Sequence, residues 1–132
     1  MNPIFHHLFQ TTRRLNKQLN RTLNPFQLHA SQWSVLYCVQ KHEQMTLTDI
    51  WTYLNVEAPT VTRTVNRLVE LDWLTVTHGD DRREKLVSLS ERAIKQYPTV
   101  EQAIITFENE FLRNFTENDA NQLMELLHQL DK

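Results

Sequence analysis

The chain has 132 residues, 40% apolar and 23% charged, which is room for one domain with a modest core. Its formal net charge of −2 excludes a uniformly basic nucleic-acid binder, and no apolar run approaches the roughly 18 residues of a membrane span. The first residues lack the apolar core of a signal peptide and the single cysteine, Cys38, cannot form an intrachain disulfide, so a reducing, cytoplasmic location is expected.

Charge is spread unevenly. Residues 1–41 hold Arg13, Arg14, Lys17, Arg21 and Lys41 and no acid, for +5; residues 42–90 hold five bases and eight acids, for −3; residues 91–132 hold four bases and eight acids, for −4. A local basic face is therefore compatible with a weakly acidic whole, and binding to a polyanion would be strongly salt-dependent.

In chain order, Asn2-Pro3 reads as the cap and first residue of a long helix with a stripe of Ile4, Leu8, Leu15, Leu19 and Leu23, widened by Phe5 and Phe9. Asn24-Pro25 ends it, because the residue before proline is pushed out of the α region. Arg13, Arg14, Lys17 and Arg21 form a solvated face, with phosphate contact or pairing to an acidic C-terminal helix as the alternatives. A second helix over Ser31 to His42 directs Trp33, Leu36 and Tyr37, with Val35 and Val39, toward a core. Cys38 sits among those apolar neighbours as a buried thiol rather than a redox sensor.

Met45-Thr46 reads as a short strand edge, and Thr46 or Thr48 caps a helix holding Ile50, Trp51 and Leu54. Asn55-Val56-Glu57 is then the short turn of a helix-turn-helix, with Val56 plugging the junction. The next helix runs from Glu57 to about Asp72. Val61, Val65 and Leu68, with Leu71 or Val69, share one face, and Pro59 suits the first turn. Its opposite face is Thr60, Thr62, Arg63, Asn66 and Arg67, short hydrogen-bonding groups and guanidiniums suited to a polar, negative partner.

After Asp72 the period changes to alternation. Trp73–Thr77 and Lys85–Leu89 read as strands joined by His78-Gly79-Asp80-Asp81-Arg82-Arg83, with Gly79, the only glycine, expected to supply positive φ at the reversal. Ser90 caps a following helix in which Ile94, Tyr97, Val100, Ile104, Phe107, Phe111 and Phe115 recur at spacings of three and four, with Pro98 kinking it near its start. Thr116 and Asp119 mark a fresh cap for a last helix with Leu123, Leu126, Leu127 and Leu130. Apolar first and last helices with nothing between them to cover are expected to cover each other across a two-fold axis.

A helix followed by an arginine-tipped hairpin suggests a winged helix-turn-helix, in which the helix enters a major groove of double-stranded DNA and the wing reaches backbone or minor groove. The expected fold is mainly α with a small β-hairpin wing. It is a single domain over 1–132, with 28–90 as the DNA-binding lobe and 1–27 and 91–132 as dimerisation helices.

Thr60-Val61-Thr62-Arg63, the Leu68 to Leu74 segment, the Asp81-x-Arg83 tip and Leu86-Val87-Ser88-Leu89-Ser90 resemble the signature of the multiple-antibiotic-resistance regulator (MarR) family, most densely over about residues 28–93. One departure is Asp72-Trp73, where the family usually has a glycine closing the recognition helix. The resemblance implies an intertwined homodimer acting as a transcriptional regulator, a repressor on a pseudo-palindromic operator. Thr60, Thr62 and Arg63 are then expected near the groove floor or its phosphates, and Arg67 on phosphate or in an intramolecular ion pair. Arg83 is expected in the minor groove, Arg82 on phosphate, and Asp81 holding the Arg83 guanidinium by a carboxylate hydrogen bond.

The resemblance also implies a crevice for a small aromatic effector between dimerisation helices and DNA-binding lobe. Here Phe9, Trp33 and Tyr37, with Phe5 and Tyr97, are its candidate lining and Arg13 or a histidine its polar anchor, against the simpler reading that these aromatics are core. Peroxide-sensing members of the family use a cysteine in the first helix, and this chain has none there. Six histidines raise zinc sensing, but no pair has i, i+4 spacing and no C-x-x-C is present, so no metal or other cofactor is expected. No glycine-rich phosphate loop or nucleophile elbow points to an enzyme. A winged-helix protein-interaction module is the competing reading.

Overall fold

The computed structural model describes residues 1–81 and 83–132; Arg82 lies outside the described residues. The first helix, α1, spans Pro3–Leu23, and Asn2 caps it by accepting the Ile4 N–H at 2.9 Å. A single 3₁₀ turn at Asn24–Phe26 follows, where Pro25 stops the α geometry. Helix α2, Ala30–His42, starts one residue earlier than the apolar pattern suggested, because the Gln32 side chain reaches back to accept the His29 N–H at 2.9 Å. That bond also explains why Gln32 is buried.

Strand β1 is Met45–Thr46, and Thr46 rather than Thr48 caps helix α3, Leu47–Leu54. Thr46 Oγ1 accepts the Asp49 N–H and the Asp49 carboxylate accepts the Thr46 N–H, so both groups are satisfied reciprocally. Asn55 ends α3 in the left-handed region at φ 54°, a conformation asparagine tolerates better than most residues. Val56 in the turn is 39% exposed and does not plug the junction; the helix pair is closed instead by fully buried Ile50 and Val61.

Helix α4 spans Ala58–Glu70 with Pro59 in its first turn. Its buried stripe is Val61, Val65 and Leu68, and Leu71 rather than Val69 extends it. The helix closes through two 5→2 and 6→1 bonds: the Asp72 N–H donates to the Val69 carbonyl at 3.1 Å and the Trp73 N–H to the Leu68 carbonyl at 2.8 Å. Asp72 itself takes φ 61°, the left-handed position that glycine fills at no steric cost. Its carboxylate also sits at the negative end of the helix. Asp72→Gly is therefore expected to raise stability by about 0.5–1 kcal/mol in urea denaturation; a decrease would mean the carboxylate is stabilising.

Because Trp73 is used to close α4, strand β2 begins one residue later than the alternation implied, at Leu74, and runs to His78. Strand β3 is Lys85–Leu89. The sheet order is β1-β3-β2, all antiparallel, with Met45 opposite Val87, Val76 opposite Val87 and His78 opposite Lys85. Gly79 does not take positive φ. An added Cβ there would lie 3.2 Å from Glu84 Oε2 and 3.4 Å from Leu86 Cδ1, a tight fit that a small shift of the exposed Glu84 side chain would relieve.

Ser90 caps helix α5, Glu91–Phe111, which passes through Pro98 as one helix, and Thr116 with Asp119 caps α6, Glu117–Gln129, by another reciprocal pair. The core joins α2, α3, α4 and the sheet, with Leu23, Leu36, Val39, Ile50, Val65, Leu68 and Val87 fully enclosed, and extends along α5 through Tyr97, Val100 and Ile104. Tyr37 is outside it, 47% exposed, because α2 turns Val35, Leu36, Cys38 and Val39 inward and leaves 37 on the outer side. None of the helices is long and apolar enough to cross a membrane among the described residues.

Candidate nucleic-acid interface

The geometry of α4 follows from its stripe. With Val61, Val65 and Leu68 buried, Thr60, Arg63, Asn66 and Arg67 are turned to solvent. Thr62 is only half-exposed; its hydroxyl donates to the Ala58 carbonyl at 3.0 Å, and it borders a small recess with Leu47, Asn66, Val76 and Lys85. Arg63 Nη2 lies 3.4 Å from Thr60 Oγ1, a weak bond that leaves the guanidinium available to a stronger acceptor. Arg67 Nη1 pairs with Glu70 Oε2 at 3.0 Å, which is the intramolecular alternative expected for it. Both partners are exposed, so the pair contributes little to stability and is readily exchanged for a phosphate.

The wing is organised by its own backbone. The Gly79 N–H donates to the Glu84 carbonyl at 3.0 Å, and the Glu84 N–H to the Asp81 carbonyl at 2.9 Å. Asp81 Oδ1 accepts the Arg83 backbone N–H at 3.0 Å, so this carboxylate shapes the turn rather than gripping the Arg83 guanidinium. The Arg83 side chain is exposed and forms no ion pair among the described residues. Arg82, the third wing residue singled out by sequence, lies outside the described residues.

Two residues near Arg83 escaped the sequence reading. Thr48 at the start of α3 and Lys85 at the base of β3 line a cleft of about 500 Å³ with Thr46, Trp51, Arg83 and Glu84. Lys85 had a signal, its outward place in the strand alternation. Thr48 had none, because only the pairing of β1 with β3 brings α3 beside the wing.

The aromatic candidates for an effector crevice are dispersed. Trp33 is buried and stacks on Tyr97 at 5.0 Å, whereas Tyr37, Phe5 and Phe9 are exposed and Arg13 lies on the exposed face of α1. The Tyr97 hydroxyl is buried with no hydrogen-bond partner among the described residues. Burial first, then Glu101 and Tyr37 nearby, push it up to about 12. Cys38 donates to the Val35 carbonyl at 3.2 Å, and burial pushes its thiol up to about 11, which suits an inert structural cysteine.

A different apolar surface dominates the other end of the molecule. A groove of about 700 Å³ runs between α1, α5 and α6, lined by Ile4, Leu8, Leu15, Phe111, Leu123 and Leu127. Glu108 also lines it, and burial, with Glu101 adding repulsion, raises that carboxyl above its ordinary value. No residue of helix α6 is fully buried within its own chain.

The MarR family's sequence model matches residues 28–85, the stretch holding α2 to the start of β3. The chain is 45% identical over 123 residues to an uncharacterized HTH-type transcriptional regulator, YwoH, of Bacillus subtilis (strain 168), covering 93% of this chain and 90% of that one. Among solved structures, a mutant MarR from E. coli complexed with operator DNA superposes with a TM-score of 0.91 at 22% identity, covering 99% of this chain and 95% of that chain. Overoxidized AbfR bound to DNA gives 0.80 at 21% identity, over 97% and 89%. At those identities the two structures establish the shared winged-helix fold.

Proposed function

Because this chain belongs to the MarR family of transcriptional regulators, we propose that it binds double-stranded DNA as a homodimer and represses transcription from a pseudo-palindromic operator in the cytoplasm. The observation that carries the reading is the outward face of α4, where Thr60, Arg63 and Arg67 are exposed on a helix whose opposite side is locked into the core. In this reading α4 lies in the major groove with Thr60 and Arg63 toward base edges, and Thr62 and Arg67 toward the phosphates. Arg83 enters the minor groove, Arg82 meets phosphate, and Asp81 holds the wing turn that presents them.

The groove between α1, α5 and α6 supports the homodimer. Two copies related by a two-fold axis would each cover it, and the exposed bases Arg13, Arg14, Lys17 and Arg21 complement the acids Glu117, Asp119 and Glu125 of α6. Symmetry then sets the two recognition helices about one turn of DNA apart. Release by a small aromatic effector belongs to the same reading; the unpartnered Tyr97 hydroxyl beside Trp33 and near Tyr37 supports it, whereas Phe9 and Arg13 on the exposed face of α1 add nothing to it.

Arg83→Ala tests the wing. It is expected to weaken binding to A·T-flanked operators about tenfold, by removing a cation from a narrow minor groove, while helix content and dimer mass stay unchanged. Unaltered affinity would remove Arg83 from the interface.

A further inference from the structure

The carboxyl end of the recognition helix is held to the start of α5 by side chains. Ser90 is at the centre of the junction. Its hydroxyl donates to the Asp72 carbonyl at 2.7 Å and accepts the Ala93 N–H at 3.0 Å, and its N–H donates to the Trp73 carbonyl at 3.0 Å. In the first turn of α5, Arg92 Nη1 donates to the Leu71 carbonyl at 2.7 Å, and its guanidinium lies 5.4 Å from the centroid of the buried Trp73 ring.

The chemistry of these contacts is specific. Leu71 is the C-cap of α4, so its carbonyl has no partner within the helix and carries part of the negative end of the helix dipole. A guanidinium there makes a charge-assisted bond while its charge lies over an indole ring, two interactions a lysine would only half reproduce. The loop so gripped, Leu71–Trp73, includes the one residue of the α4 terminus in left-handed geometry, Asp72. Helix α5 in turn packs along α1, in the layer assigned above to the dimer.

We propose that Arg92, with Ser90, is a positioning residue for DNA binding: it clamps the Leu71–Trp73 loop to α5 and thereby sets the separation of the two recognition helices in the dimer. The clamp joins α5, which packs along α1, to the carboxyl end of α4. It rests on the homodimeric DNA-binding reading, so its test needs one readout that depends on DNA and one that does not.

Full-length wild type, Arg92→Gln and Arg92→Lys are titrated with three duplexes: the pseudo-palindrome recovered by selection, and the same sequence with one base pair added or removed between half-sites. Wild type is expected to prefer the parent spacing roughly tenfold. Arg92→Gln should bind the parent roughly tenfold more weakly with little change on the other two, so the preference collapses, and Arg92→Lys should restore much of it by keeping a cation at the carbonyl. In parallel, amide exchange of the DNA-free proteins should show Asp72, Trp73 and Ser90 exchanging faster in Arg92→Gln. A variant that keeps the spacing preference, or loses affinity equally for all three duplexes, overturns the positioning role. Unchanged amide exchange overturns the clamp even if DNA binding stands. A wild type with no spacing preference on any duplex overturns the dimeric reading and this role together, while faster exchange in the variant would still show the junction itself to be held by Arg92.

Discussion

Replacing Leu127 with aspartate is expected to give a folded monomer that binds operator DNA at least about a hundredfold more weakly. Leu127 is 43% exposed in the single chain, lines the apolar groove and lies on a helix with no fully buried residue in its own chain. Its removal therefore costs the monomer fold little. In a two-fold dimer, however, each substitution enters the interface twice, and burying an unpaired carboxylate costs roughly 2 kcal/mol or more per copy. Two copies shift the dimerisation constant by about a thousandfold. Operator affinity then falls because bivalent binding multiplies affinity by roughly 10²–10⁴ over a single half-site. Sedimentation and circular dichroism check the two parts: a dimer at micromolar concentration, or a loss of helix, would contradict the expectation.

Leu68→Ala is expected to destabilise the fold by about 3–5 kcal/mol, a large share of the stability of a domain this size. Leu68 is fully buried on α4, and its carbonyl accepts the Trp73 N–H that closes the helix. Truncation leaves a cavity in the enclosed core beneath α4, where close-packed neighbours relax only in part. Val69→Ala, one residue along the same helix and 38% exposed, should stay within about 0.5 kcal/mol. Urea midpoints at matched protein concentration separate the two, since a dimer's apparent stability depends on concentration. Similar losses for both would mean that helix propensity, rather than burial, dominates.

Features with a local cause were legible in the sequence. Asn2-Pro3, Thr46 or Thr48, Ser90, and Thr116 with Asp119 each declared a helix start, because a cap needs only residues within one turn, and the structure selects Thr46 by pairing it with Asp49. The two wing strands followed from alternation, displaced at β2 by the single residue that Trp73 gives to closing α4. Positions decided by partners distant in sequence were harder to read. Tyr37 shares helical spacing with Trp33 and Leu36, yet α2 is enclosed from two directions and only the three-dimensional neighbours fix its outer edge. Asp81 and Arg83 fit a carboxylate–guanidinium pair by spacing, but the turn uses the carboxylate for a backbone N–H. Nor did periodicity alone separate the aromatics: Trp33 and Tyr97 join in the core while Phe5 and Phe9 stay on the open face of α1. The Arg92 bond to Leu71 spans 21 residues of sequence, and no local signal announces it.

The central claim, a dimeric reader of a pseudo-palindrome, is tested most directly by selection from a pool of random duplexes at several salt concentrations, with sequencing of what is retained. The account predicts a two-fold consensus with half-sites about one helical turn apart, and retention that falls steeply as salt rises. Retention of no consensus at low salt would contradict it and turn attention to a protein partner for the exposed face of α4.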